Sequence, residues 1–525
     1  MRDAALHHDS LGSFLTFTRA YFPSTIDGIV PRAAITNRLP LLLVAIASIF
    51  AFGCTAALGP GYSIEKQEIE VHFLPAPEPT IQINATYHLR NDGIRPLTTL
   101  ELRLPGRRRF HFADPSVEWD GHAVTVDISP DNRRNAILNL SDPWKVSEDH
   151  TLKLSVEYKQ AAPDEHSFSF AADAFFLPSE GWSPQLMPAR GAFAKGGVPP
   201  AKWEMTIRVP QDFLVHASGE KPKKSKSNGE QVVRLTQRLR DGYPFVVAGR
   251  YVPVKFKAAP ETVTLWSRAK LSADTLSQSA QGLVSTMKAY DGMFGKRVEN
   301  SHDLWMVECP VVENCFSTKA SYYSSLINEP GSKPTAEMAS LDTLMVDLTK
   351  GSPNVVAAAG PSLASTWLGY GQNPGFYEQD PPLAALPAFA AIRGGEAAGG
   401  PQVRTNAIRR ALKVIPTNGQ PGKTEPDEVV RAKSLLIFFA LQDRYGQKAF
   451  SDALSHMLYA RRRGGFDITD LISAFEQETH QNVGEFVRHW MKRPGVPQDF
   501  RARYEGETSA DAAAFQMHEA KEATP

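Results

Sequence analysis

Zinc-peptidase chemistry needs two histidines one helical turn apart, because positions i and i+4 share a helix face. A third ligand and a carboxylate that takes a proton from the metal-bound water must join them. None of the fourteen histidines stands four residues from another. His480 and His489 lie nine apart, on either side of a helix cap at Asn482, and read as surface or second-layer residues rather than ligands. Nucleophilic catalysis by serine is the next chemistry to weigh. Val355-Val-Ala-Ala-Ala-Gly-Pro-Ser-Leu-Ala364 can be read as a strand running into a Gly-x-Ser-x-Ala elbow that exposes Ser362. Asp470, followed by His480 or His489, supplies an acid and a base in the required order. The same stretch also reads as a buried helix: an apolar run from Val355, a Pro361 tolerable in a first turn, and Trp367-Leu-Gly369 as its stop. Of the three cysteines, Cys309 and Cys315 flank a Glu313-Asn314 pair. They can bridge if their Cα atoms approach to about 4.4–6.8 Å, or remain two buried thiols.

Two kinds of element must carry these residues. From Tyr62 to about Val254 the apolar period is two. Thr80 to Leu89 runs into an Asn91-Asp-Gly93 turn; Leu100, Leu102 and Leu104 alternate with polar neighbours, as do Leu152, Leu154, Val156 and Tyr158, then Trp203, Met205, Ile207 and Val209. Asn228-Gly229 marks a type I′ hairpin, with 221–226 as its basic, solvated loop. This alternation excludes the strand-helix alternation of an α/β-hydrolase over the first 200 residues or so. Beyond Val254 the pattern becomes mixed. Val263 to Trp266 and Leu304 to Val307 read as strands, and Ser272 caps a helix that runs to Phe294 and closes at Gly295. Thr424 with Asp427 and Asn482 with Glu485 read as capping boxes; the first helix ends at Gly446, the second at Pro494, and a third runs from Lys448 to Gly464-Gly465.

Placed over the pattern HExxHxWFG, Trp367, Leu368 and Gly369 fix a register in which the first histidine falls on Pro361, the glutamate on Ser362 and the second histidine on Ser365. Eighteen intervening residues after Ser365, where WLNEGFA would supply a third ligand, stands Ala384. Pro310-Val-Val-Glu-Asn314 keeps only the last two residues of GxMEN, and Val430-Arg-Ala-Lys-Ser434 places Arg431 at the tyrosine of VYxKG. With Gly181-Trp-Ser-Pro184 and Ala248-Gly-Arg-Tyr251 upstream, the chain resembles the aminopeptidase N family, peptidase family M1, from about residue 62 to residue 504. The resemblance implies a saddle-like N-terminal β-sandwich followed by a thermolysin-like domain of mixed α/β and helical character. It implies zinc, but the ligands, the general base and the tyrosine are all replaced. It also implies that Glu313 and Asn314, beside an edge strand, hold the amine of a peptide in an interdomain cleft. The chain is therefore expected to be a degenerate member without a cofactor, binding a peptide or protein ligand. The alternatives are an active metallo-aminopeptidase with ligands elsewhere, or a serine hydrolase using Ser362.

Lys plus Arg equals Asp plus Glu at 57 each in 525 residues, which argues against a nucleic-acid partner. Leu39 to Gly53, preceded by Arg32 and Arg38 and followed by Cys54, reads as an export signal with a lipobox; an uncleaved membrane anchor is the alternative. The expected order is a polar extension over 1–38, a signal or anchor over 39–58, the β-sandwich over 59–255, the thermolysin-like domain over 256–505 and a disordered tail over 506–525. Acylation at Cys54 would hold the body at a membrane of the cell envelope.

Overall fold

Alternating side chains build the first half of the fold. In the computed structural model Ser63–Leu74 turns Ile69, Val71 and Phe73 inward and their neighbours outward. The strand lies inside an eight-stranded sheet, antiparallel to Thr80–Arg90 and parallel to Trp203–Pro210. Thr80–Arg90 pairs in turn with Asp149–Lys159, whose Leu152, Leu154, Val156 and Tyr158 are buried. Two four-stranded sheets close over its inner face, and Leu100, Phe175 and Val246 join Ile83 and Trp203 in one core. The structure describes residues 61–505 except 105–114, 131–134, 160–168, 179–180, 190–196, 238–243, 259–260, 298–302, 316–335, 341, 349–353, 369–380, 418–424 and 462–465. The N-terminal segment with Cys54, the tail from 506, and Gly369, Thr424, Gly464 and Gly465 thus lie outside the described residues. All of the described residues belong to one unit, Ala56–Pro525.

The landmarks at 181–184 and 248–251 have a physical basis here. Trp182 is fully buried and donates its Nε1–H to Pro244 O at 2.9 Å, while Tyr87 OH donates to Pro184 O at 2.6 Å. A Cβ on Gly249 would stand 2.5 Å from Ala174 Cβ, so only glycine allows the strand pair Val246–Gly249 and Ala174–Leu177 to close. The basic stretch at 221–226 is a strand, not the loop expected. Glu220–Ser227 pairs with Glu230–Gln237 through an Asn228-Gly229 turn with φ of 50° and 80°. Pro222 is compatible with this because the strand is outermost in its sheet, and the register slips between Glu220 and Lys223, bracketing the proline.

The second half begins with a five-stranded sheet, in the spatial order Val252–Ala258, Glu261–Ser267, Asp303–Glu308, Thr343–Val346, Ala336–Ser340. Its three inner strands are parallel and its two outer ones antiparallel to their neighbours. Helix Ala273–Phe294 makes one parallel crossover; Ser272 Oγ accepts Thr275 N–H at 3.1 Å, and Gly295 ends it at φ 75°. Leu386–Gly399 is apolar around most of its girth and runs through the interior. Asp427–Arg461 is broken at Gly446, whose φ of 81° no helix accommodates. Asn482 caps Val483–Lys492, and a reciprocal box of Asp467 and Asp470 opens Ile468–Thr479.

Where the two halves meet, Phe176, Phe245 and Tyr251 pack with Trp266, Val307 and Met345. His216, on the strand Leu214–Ala217, enters this layer: its ring stacks 4.1 Å from Trp305 and its Nε2 bonds Thr343 Oγ1 at 2.8 Å. Arg268 reaches across as well, its Nη2 2.7 Å and 2.9 Å from the two oxygens of Asp173 and its backbone N–H on Glu308 Oε2 at 2.6 Å.

Candidate functional site

The helix Asn354–Leu368 is the element on which the chemistry of this fold would turn. It packs between Ala273–Phe294 and Leu386–Gly399 and touches the outer strand Ala336–Ser340. Small residues set the spacing of the three helices: a Cβ on Gly360 would stand 2.9 Å from Ala391 Cβ, and between the two neighbours one on Gly394 would stand 2.6 Å from Thr286 Cγ2. Polar pins complete the packing. Tyr290 OH donates to Gly360 O at 3.0 Å, and Trp367 Nε1–H donates to Asp291 Oδ1 at 3.0 Å. Burial raises the Asp291 carboxyl above its ordinary range, although the Trp367 donor opposes the shift.

Two sequence expectations for this helix are corrected. Pro361 stands in its middle, not in a first turn, because the helix begins seven residues earlier at Asn354. A proline there lacks the N–H that would meet the Ala357 carbonyl, and the helix continues through the defect to Leu368. The strand and elbow reading of 355–364 fails for the same reason. The whole stretch is helical, so Ser362 lies within a helix rather than on a strained turn, and its hydroxyl donates to Ala336 O on the outer strand at 3.1 Å.

The remaining positions fall as follows. Ser365 is half-buried on the helix, and Ala384 ends the short helix Pro381–Ala384, also half-buried. A ring carbon, two hydroxyls and a methyl are thus the side-chain chemistry at 361, 362, 365 and 384. That donor set does not fit zinc, which wants imidazole, thiolate or carboxylate. Among the described residues no three His, Cys, Asp or Glu side chains converge in a way that could hold a metal ion. His480 takes a left-handed conformation, φ 53°, as the cap ending Ile468–Thr479, while His489 lies in the last turn of the next helix.

Arg431 sits in the first turn of Asp427–Arg461, with Nη2 4.0 Å from Asp427 Oδ2. Two residues on, Lys433 is fully buried. It donates to Glu425 Oε2 at 2.6 Å, Met491 O at 3.0 Å and Arg493 O at 2.6 Å, closing the C-terminus of Val483–Lys492. The lysine of the Val430 to Ser434 motif therefore has a structural task of its own.

Glu313 and Asn314 lie on one helical turn, Val312–Cys315, and the strand that leads into it, Asp303–Glu308, is an inner strand of its sheet rather than an edge strand. Cys309 and Cys315 are joined as a disulfide with Cα atoms 6.1 Å apart, a span too short for an extended segment. This turn leans on the β-sheets: Ser169 Oγ accepts Val311 N–H at 2.7 Å. The outermost strand on the helix side is instead Ala336–Ser340, whose register sets Glu337 opposite Met345. Sequence reasoning passed over that stretch because five residues with no alternation carry no strand signal.

No family model matches this chain, and no curated protein matches it. Solved structures do. The M1 zinc metallopeptidase from Deinococcus radiodurans superposes with a TM-score of 0.52 at 15% identity, over 83% of this chain and 95% of its own. A mutant of a two-domain M1 zinc metallopeptidase bound to L-arginine gives 0.54 at 17% identity, over 83% and 95%. A mutant of the Deinococcus radiodurans enzyme bound to a Tyr-Ser-Ala substrate gives 0.51 at 15%, over the same shares. At these identities the likeness is one of fold. Several β-sheets followed by a mixed and then helical region make the architecture of a two-domain M1 peptidase.

Proposed function

We propose that the protein recognises a peptide or protein segment in the cleft between its β-sheets and its helical region, and does not cleave it as a zinc peptidase would. The observation that supports this is the helix Asn354–Leu368, whose sequence carries Pro361, Ser362 and Ser365 where the resemblance calls for histidine, glutamate and histidine. Ser362 cannot take a proton from water near neutral pH as a carboxylate would, and it is already bonded to the outer strand. Glu313 and Asn314 are the recognition residues of this reading, on a turn tied to both halves by the disulfide and Ser169. A carboxylate there can hold an ammonium group without any metal.

The same reading places the protein outside the cytoplasm, acylated at Cys54. Radiolabelled palmitate should enter the wild type and not Cys54→Ala, and membrane retention unchanged by that substitution would point to an anchor instead. The deciding test is zinc content after dialysis, with hydrolysis of alanyl, leucyl and arginyl amides followed in parallel. Less than a tenth of a zinc per chain and no chelator-sensitive turnover are expected on coordination grounds. One zinc per chain with turnover would establish an active aminopeptidase with other ligands. Peptides selected from an array should lose affinity on Glu313→Gln, and undiminished binding would remove Glu313 from the site.

A further inference from the structure

At the far rim of the eight-stranded sheet, remote in sequence from everything above, lies a cleft of about 530 Å³. Its walls come from the hairpin Ser116–Trp119 and His122–Val124 and from the loop that joins Asn135–Trp144 to Asp149–Lys159. Trp119, Trp144 and His150 form an aromatic cluster. The imidazole stacks on Trp119 at 4.8 Å and meets Trp144 edge-on at 5.7 Å, and the two indoles cross at 5.7 Å.

The hydrogen-bonding groups here are unbalanced. His150 Nδ1–H donates to Asp120 Oδ2 at 2.5 Å. Nε2 is buried without a hydrogen-bond partner; Glu148 Oε2, itself an acceptor, is 3.8 Å away. Asp142 and Glu148 add further acceptors to the same walls. Against them stands Lys145, whose ammonium is mostly exposed and 3.4 Å from Glu148 Oε1. His122 is exposed at the mouth. Beside indole faces and an orphan imidazole nitrogen, the walls carry three carboxylates, Asp120, Asp142 and Glu148, against the one ammonium of Lys145, an excess that a cation rich in N–H donors would answer.

We infer that this cleft binds a guanidinium or primary ammonium group, as carried by an arginine or lysine side chain of a partner. The flat guanidinium suits it better than a hydroxylated ring. It can lie on an indole face while its fork of donors meets Asp142 and Glu148, whereas a neutral sugar leaves the excess of carboxylates over Lys145 in place.

The probe is N-acetyl-arginine methylamide, with its citrulline analogue as a neutral control of nearly the same shape. Binding is followed by calorimetry and tryptophan fluorescence on the full chain. The arginine compound should bind on the order of tenfold more tightly than the citrulline compound, the scale of one cation–π contact plus one ion pair. Trp119→Ala and Glu148→Gln should each remove most of that preference. Asp142→Asn, at an exposed position, should lower it without disturbing folding. Equal affinity for the two probes, full affinity in Glu148→Gln, or response only to a neutral oligosaccharide would overturn the assignment. Glu313→Gln should leave this binding intact, so failure here and failure of the peptide cleft can be told apart.

Discussion

His216 makes acid sensitivity a calculable property of the junction between the two halves. Its ring is enclosed by Trp305, Trp266 and Phe245 and bonded to Thr343 Oγ1. Burial pushes its pKa down from 6.5 to about 4, with the Asp342 carboxylate opposing. The folded chain therefore holds this imidazole neutral, while the unfolded chain protonates it below pH 6.5. Between those values the unfolded state binds more protons, so stability is full above pH 6.5 and is lost as pH falls toward 4. A drop from 6.5 to about 4 corresponds to about 3 kcal/mol in all, of which about 2–3 kcal/mol is expressed by pH 4.5, just above the folded-state value. His216→Phe keeps the stack on Trp305 and gives up one hydrogen bond, about 1 kcal/mol. In urea titrations the variant should be the weaker protein at pH 7.5 and the stronger at pH 4.5. Carboxylates elsewhere titrate in both proteins and cancel in the comparison. Parallel loss of stability in wild type and variant between the two pH values would refute the reasoning, whatever the absolute values.

Gly360→Ala should cost about 1–2 kcal/mol in urea unfolding despite the better helix propensity of alanine, because the new methyl meets Ala391 at 2.9 Å. Ala391→Gly added to it should restore most of the loss, and an uncompensated double variant would show that the contact is not the cause. Lys433→Met should lower stability by about 3–5 kcal/mol, since Glu425 and two carbonyls lose a buried donor. A thermal midpoint within a degree or two of wild type would mean that water replaces the ammonium there.

Much of the architecture was legible wherever a face repeats. Trp203, Met205, Ile207 and Val209 read as one buried face and are one, and Ser272 and Asn482 cap the helices their types announce. Pairing was not legible. That Ser63–Leu74 should lie parallel to Trp203–Pro210 depends on strands more than a hundred residues apart, which no local period encodes. The central helix shows the boundary between the two cases. Its existence followed from its apolar run, yet its start did not, because Pro361 is a helix-start signal locally, while the helix is packed at Gly360 against Ala391 and Tyr290 and runs on through it. At Glu313 the local turn was not legible either: the cysteines could bridge or stay apart, and it is the bridge, with Cα atoms 6.1 Å apart, that accompanies the helical turn Val312–Cys315. The aromatic cleft had no signal at all. Trp119, Trp144 and His150 become neighbours only because Ser116–Trp119 pairs with Asp149–Lys159.

The equal numbers of acidic and basic residues hide an electrical asymmetry in the eight-stranded sheet. One rim is the strand Glu220–Ser227, whose Lys223, Lys224 and Lys226 face water; the other carries Asp120, Asp142 and Glu148 around the cleft, with Lys145 alone against them in its lining. At the usual strand spacing the rims stand about 34 Å apart, while charges in physiological salt are felt over about 8 Å. Neither rim senses the other, and a neutral molecule meets its surroundings as two oppositely charged ones. An anionic surface would attract the lysine rim and turn the cleft away from itself, toward the solution in which cationic ligands arrive.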